Sequence, residues 1–101
     1  MGLRLDLHDL LVEILGSTNV YFQPPPTVEM KYPCIVYQPD FLLSEWADNK
    51  SYKRDKRYLV TVIDRDPDSE IPDKIAALSK CVFDRFYTAA NLNHNVFKLF
   101  F

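Results

Sequence analysis

The sequence predicts an α+β fold: one small domain, residues 1–101, with a mostly antiparallel sheet and two flanking helices. Three observations lead there. Leu3, Leu7, Leu10, Leu11, Ile14 and Leu15 recur at helical spacing. Tyr52 to Asp64 alternates instead, with Tyr58, Val60 and Val62 on one side and Arg57, Leu59, Thr61 and Ile63 on the other. The order of such segments is helix, strands, helix, strands, and 101 residues leave room for one core only.

The first helix ends at Gly16, a residue suited to the left-handed turn that closes helices. Asn19 to Gln23 reads as a short strand, stopped by Pro24-Pro25-Pro26, whose missing N–H groups make a stiff extended connector. Tyr32 to Gln38 is a second strand, apolar on both faces in its middle and therefore central, with Pro33 at its start. Phe41 to Trp46 suggests a further strand, and Asp48-Asn49-Lys50 has turn chemistry. The charged run Lys50 to Arg57 then forms the exposed end of the hairpin that continues into the alternating strand.

Asp64 to Glu70 is a polar loop leading into the second helix, with Asp68 or Ser69 as its cap and Pro72 in its first turn. Ile71, Ile75, Ala76 and Leu78 provide that helix with a buried stripe. The remainder is a hairpin: a strand from Cys81 to Tyr87, a loop through Asn91-Leu92-Asn93-His94, and a strand from Val96 to Phe101.

Composition narrows the function. Twelve Lys and Arg against fourteen Asp and Glu give a formal net charge of -2, whereas a dedicated nucleic-acid binder carries a basic excess. Six Tyr, seven Phe and one Trp are too many for a solvated tail. Cys34 and Cys81 lie far apart, without the paired spacing with His8 and His94 that a zinc site needs, and read as free thiols of a reducing compartment. No apolar run approaches a membrane span, and the first residues lack a signal-peptide core, so the expected product is soluble and made inside the cell.

Chemistry-bearing patterns are few. Asp64-x-Asp66-x-Asp68 opens like a calcium loop, but Ser69 stands at its glycine position and Ile75 in place of its bidentate Glu, which favours a capping role. Asp40, Asp48 and Lys50 have the residue types of a Mg²⁺-dependent nuclease, two metal-binding carboxylates and a lysine for phosphate charge, although Lys50 falls in a turn. His8, on the polar side of the first helix, and His94, in a turn, read as surface residues. With two glycines in the chain there is no phosphate cradle. The expectation is no catalytic residue, no metal site and no cofactor.

Two segments point to contacts between subunits. Lys50, Lys53, Arg54, Lys56 and Arg57 concentrate positive charge on one arm of an acidic protein. Phe97, Leu99, Phe100 and Phe101 place large apolar side chains where a terminus would ordinarily fray. Both segments are candidate subunit-interface residues.

Taken together, the segments resemble a known family. Asn19-Val20-Tyr21-Phe22-Gln23-Pro24-Pro25 is followed by Lys31-Tyr32-Pro33-Cys34-Ile35-Val36-Tyr37, Ala47-Asp48-Asn49-Lys50 and Arg57-Tyr58-Leu59-Val60-Thr61-Val62-Ile63-Asp64. Asp66 to Pro72 and Phe83-Asp84-Arg85-Phe86-Tyr87 complete the series. This resembles the neck proteins of long-tailed bacteriophages, most closely the tail terminator (tail completion, minor capsid) family, along nearly the whole chain. The resemblance implies an α+β structural protein of the virion, not an enzyme. Its members form a homo-oligomeric ring, usually a hexamer, on the head-proximal end of the tail tube. The implied partners are the tail tube protein and head-closure or other neck proteins, with genomic DNA passing through the lumen without sequence-specific binding and no membrane contact. The implied location is the virion neck, and the host cytoplasm during assembly. A head-closure protein is the alternative within the same class.

Overall fold

A computed structural model describes residues 4–24, 29–40 and 57–101. Helix α1 spans Arg4–Leu15 and buries Leu7 and Leu11, one turn apart on one stripe. Gly16 closes it at φ +80°, its N–H reaching back to the Val12 carbonyl at 2.9 Å. That left-handed conformation is cheap only for glycine. The chain then forms β1 (Val20–Phe22), β2 (Cys34–Pro39) and β3 (Arg57–Asp64). Helix α2 (Ile71–Ala76) follows, and β4 (Cys81–Ala89) and β5 (Leu92–Phe100) end the chain.

The five strands form one sheet in the order β1-β2-β3-β5-β4. Among the described strands only β1 and β2 run parallel; every other neighbouring pair is antiparallel. The predicted α+β class is therefore the observed one. Strand β2 is internal, as its two-sided apolar pattern requires. It starts directly after Pro33, whose peptide bond with Tyr32 is cis.

The strand period sorts side chains onto two faces. On one, Val20, Ile35, Tyr37, Tyr58, Val60, Val62, Phe97 and Leu99 pack beneath Leu7 and Leu11 of α1 and Ile75 of α2. Both helices thus cover the same face. On the other face Cys34, Ile63 and Leu92 form a smaller cluster, flanked by Tyr21, Met30, Tyr32 and Val36. The alternation read from β3 is the one found: Tyr58, Val60 and Val62 lie under the helices and Ile63 on the opposite side.

Three local expectations are corrected. The residue capping α2 is Glu70, not Asp68 or Ser69, and its side chain makes no capping bond. Ser69 Oγ still accepts the Ile71 N–H at 3.3 Å, while the Asp68 N–H is taken by Asp66. Ala76 is exposed, because the helix ends there and only Ile75 faces fully inward. The last hairpin turns on two residues, Ala90 and Asn91, so Leu92, Asn93 and His94 belong to β5 instead of to a loop. Both turn residues have positive φ, 53° and 62°, the backbone that matches the twist of a tight hairpin. The proline connector from Pro25 on, the strand expected over Phe41 to Trp46 and the turn at Asp48-Asn49-Lys50 lie outside the described residues.

Candidate subunit interface

Of the charged arm, Lys50, Lys53, Arg54 and Lys56 lie outside the described residues. Arg57 opens β3 and is not a free arm residue. Its Nε lies 3.1 Å from Asp40 Oδ2 and donates to the Asp40 carbonyl at 3.2 Å, with the side chain only 10% exposed. The Asp40 N–H in turn donates to the Arg57 carbonyl at 2.9 Å. Arg57 therefore clamps the end of the β2–β3 ladder. Asp40, the one described member of the nuclease set, is engaged in that clamp, and Asp48 and Lys50 lie outside the described residues.

The apolar terminus divides in two. Phe97 and Leu99 alternate with Val96 and Lys98 and face the helices, each 2% exposed, so they fill the chain's own core and offer no surface to a neighbour. Phe100 is 38% exposed, and Phe101 is half-buried against the same core. What holds the terminus down is β5 itself, which lies between β3 and β4 and is hydrogen-bonded on both sides.

Sequence reasoning placed a strand at Cys81 to Tyr87 and missed its edge position; the strand runs Cys81–Ala89. Val82, Phe83, Phe86 and Tyr87 of β4 are all exposed, at 42–58%, on the edge of the sheet. The available signal was two pairs of large apolar residues around Asp84-Arg85, which composition assigns to a core; the edge position follows only from the strand order.

Near the carboxyl end of β3, Asp64, Asp66, Asp68 and Asp73 line a cavity of about 420 Å³ together with Phe86 and Asn95. Their geometry is that of a turn. Asp64 Oδ1 accepts the Asp66 N–H and Asp66 Oδ1 accepts the Asp68 N–H, both at 2.9 Å. Carboxylates that accept backbone N–H groups two residues on are structural in this way. Among the described residues no group of three or more His, Cys, Asp or Glu is placed to hold a metal ion.

Both histidines depart from the surface reading. His8 is half-buried and its Nδ1 lies 2.8 Å from the hydroxyl of Tyr37, which Arg4 Nη1 also approaches at 3.4 Å. The Arg4 guanidinium sits 4.4 Å above the Phe22 ring, closing a small polar cluster between α1 and the sheet. His94 stacks on Tyr87, centroids 4.6 Å apart and planes at 13°. Both thiols are free, Cys34 buried and Cys81 partly so. Burial, with a smaller contribution from Asp64, pushes the Cys34 thiol up to about 11, and burial raises Cys81 as well. Thiols held protonated in this way are poor nucleophiles.

No protein-family model, no curated protein and no solved structure matches this chain.

Proposed function

We propose that this chain is a phage structural protein: a tail terminator subunit that assembles as a ring on the head-proximal end of the tail tube. There the ring stops tube polymerisation and joins tail to head. The observation that carries the reading is the agreement between the motif series and the fold. The series resembles that family along nearly the whole chain, and the family implies one α+β domain with helices on its sheet. A five-stranded, mostly antiparallel sheet with two helices on one face supports it. Heterologous contacts between copies of a domain close into a ring when the rotation between neighbours fits.

The experiment is light scattering and negative-stain imaging of the purified chain, alone and with polymerising tail-tube protein. The expected result is a ring that caps tube ends and fixes tube length. A chain that leaves tube growth unchanged at high concentration would overturn the reading. Binding to the portal-side ring instead of the tube would identify a head-closure protein.

A further inference from the structure

Among the described residues, strand β4 is the outermost strand of the sheet and is nine residues long. An edge of this kind aims a row of backbone N–H and C=O groups away from its one neighbour, ready to pair with another strand. Edges are protected by short length, by charges or proline, or by a bulge that twists them away. The edge here has a bulge and the Asp84–Arg85 ion pair, and its other exposed side chains between Val82 and Tyr87 are apolar. This one reads Val82-Phe83-Asp84-Arg85-Phe86-Tyr87, with its four apolar members 58%, 52%, 53% and 42% exposed in that order.

A bulge shapes the edge. Phe83 stands opposite Phe97 and Arg85 opposite Val96, which leaves Asp84 as an extra residue. In an unbroken strand, residues an odd number of positions apart point to opposite faces. Here the extra residue turns Phe83 and Phe86 to the helix-covered face, beside Phe97 and Asn95, and Val82 and Tyr87 to the other, beside Lys98 and His94.

We infer that β4 pairs antiparallel with β4 of a second copy of this chain, about a two-fold axis between Asp84 and Arg85. In that register Asp84 faces Arg85 of the second copy, Phe83 faces its Phe86, and Val82 faces its Tyr87. Residues that oppose each other across such an axis must point to the same side of the continuous sheet. Phe83 with Phe86, and Val82 with Tyr87, meet that condition only because of the bulge. Charge fits as well. Asp84 Oδ2 lies 2.9 Å from Arg85 Nη1 within the chain, and Arg85 is 60% exposed. Two such pairs running in opposite directions make a quartet of alternating sign, flanked on each face by apolar pairs. A two-fold pair closes on itself, so this contact is separate from the ring contacts proposed above and describes the chain free of the tube.

Sedimentation of the full chain over a concentration series tests it, with the wild type expected to form dimers. Asp84→Arg and Arg85→Asp each put like charges opposite each other twice per dimer and should weaken association roughly tenfold. Mixing the two single variants should restore it, because the arginines of one then face the aspartates of the other. The double exchange Asp84→Arg/Arg85→Asp should pair with itself like the wild type. A wild type that stays monomeric overturns the proposal. So does association that ignores the single reversals, or that mixing fails to rescue. Because the two contacts are separate, reversals that abolish the dimer should leave the ring on the tube intact, and a wild type that dimerises through β4 but ignores the tube would sink the terminator reading alone.

Discussion

The hydroxyl of Tyr37, a fully buried residue of β2, lies 2.8 Å from Nδ1 of His8 on α1. The contact joins the first helix to the internal strand and supplies the hydroxyl with the partner that a buried polar group needs. It also selects where α1 lies along the sheet, since an apolar stripe alone could slide.

Removing that hydroxyl separates its two roles. Tyr37→Phe should lower unfolding free energy by about 0.5–1.5 kcal/mol, the net worth of an ordinary hydrogen bond. Tyr37→Ala should cost about 3–5 kcal/mol, because a large core side chain is lost with it. Urea denaturation followed by circular dichroism checks both values.

Alkaline pH should unfold the protein earlier than a chain of ordinary tyrosines and thiols would suggest. Burial raises the Tyr37 hydroxyl, partly offset by Arg4, and pushes the Cys34 thiol from 9.0 to about 11. A group raised in the folded state stabilises that state fully below its unfolded value, and the contribution fades as pH climbs through the folded value. For Cys34 the loss falls between pH 9.0 and about 11. Melting temperature measured across that range should fall, and the fall should shrink in Cys34→Ala. An identical pH slope in that variant would refute the assignment.

The Ala90-Asn91 turn leaves stability unclaimed. Alanine at φ 53° is unfavourable by roughly 1–2 kcal/mol, and two-residue hairpins of this type favour Asn-Gly. Replacing the pair by Asn-Gly should therefore raise unfolding free energy by about 1 kcal/mol. Thermal melts of this variant and of the wild type provide the comparison; a lower melting temperature would contradict the observed turn geometry.

Arg57 should behave as a structural residue. Substituting Arg57→Met removes a guanidinium that meets both the carboxylate and the carbonyl of Asp40. The expected cost is about 1.5–3 kcal/mol, the range for hydrogen bonds to charged groups. Charge reversal at Lys53, Arg54 and Lys56 should instead weaken assembly in a salt-dependent manner and leave melting near wild type. Melting and sedimentation on the two sets of variants distinguish the roles.

The C-terminus carries a similar contrast. Phe101→Ala should destabilise the monomer more than Phe100→Ala, since Phe101 packs against the core and Phe100 is 38% exposed. A buried Phe is worth about 1.5–3 kcal/mol over an exposed one. Equal losses at the two positions would contradict the orientation of the last strand.

By itself the sequence determined the class of fold, the first helix with its glycine stop, and the face assignment within β3. Those features are periodicities, and a period of 3.6 or 2 is written in neighbouring residues. The internal position of β2 was legible for the same reason, as Cys34 to Tyr37 is apolar on both sides. Only the tertiary structure decided that β5 enters between β3 and β4. That order turns Phe97 and Leu99 into core and leaves Phe83 and Phe86 at the edge, although all four are large apolar residues of strand-forming segments. It also decided that His8 points at Tyr37, a partner 29 positions away, and that the bulge at Asp84 changes which face each later residue of β4 occupies. Strand order, long-range partners and bulges depend on which distant segments meet, and local pattern carries no record of that choice.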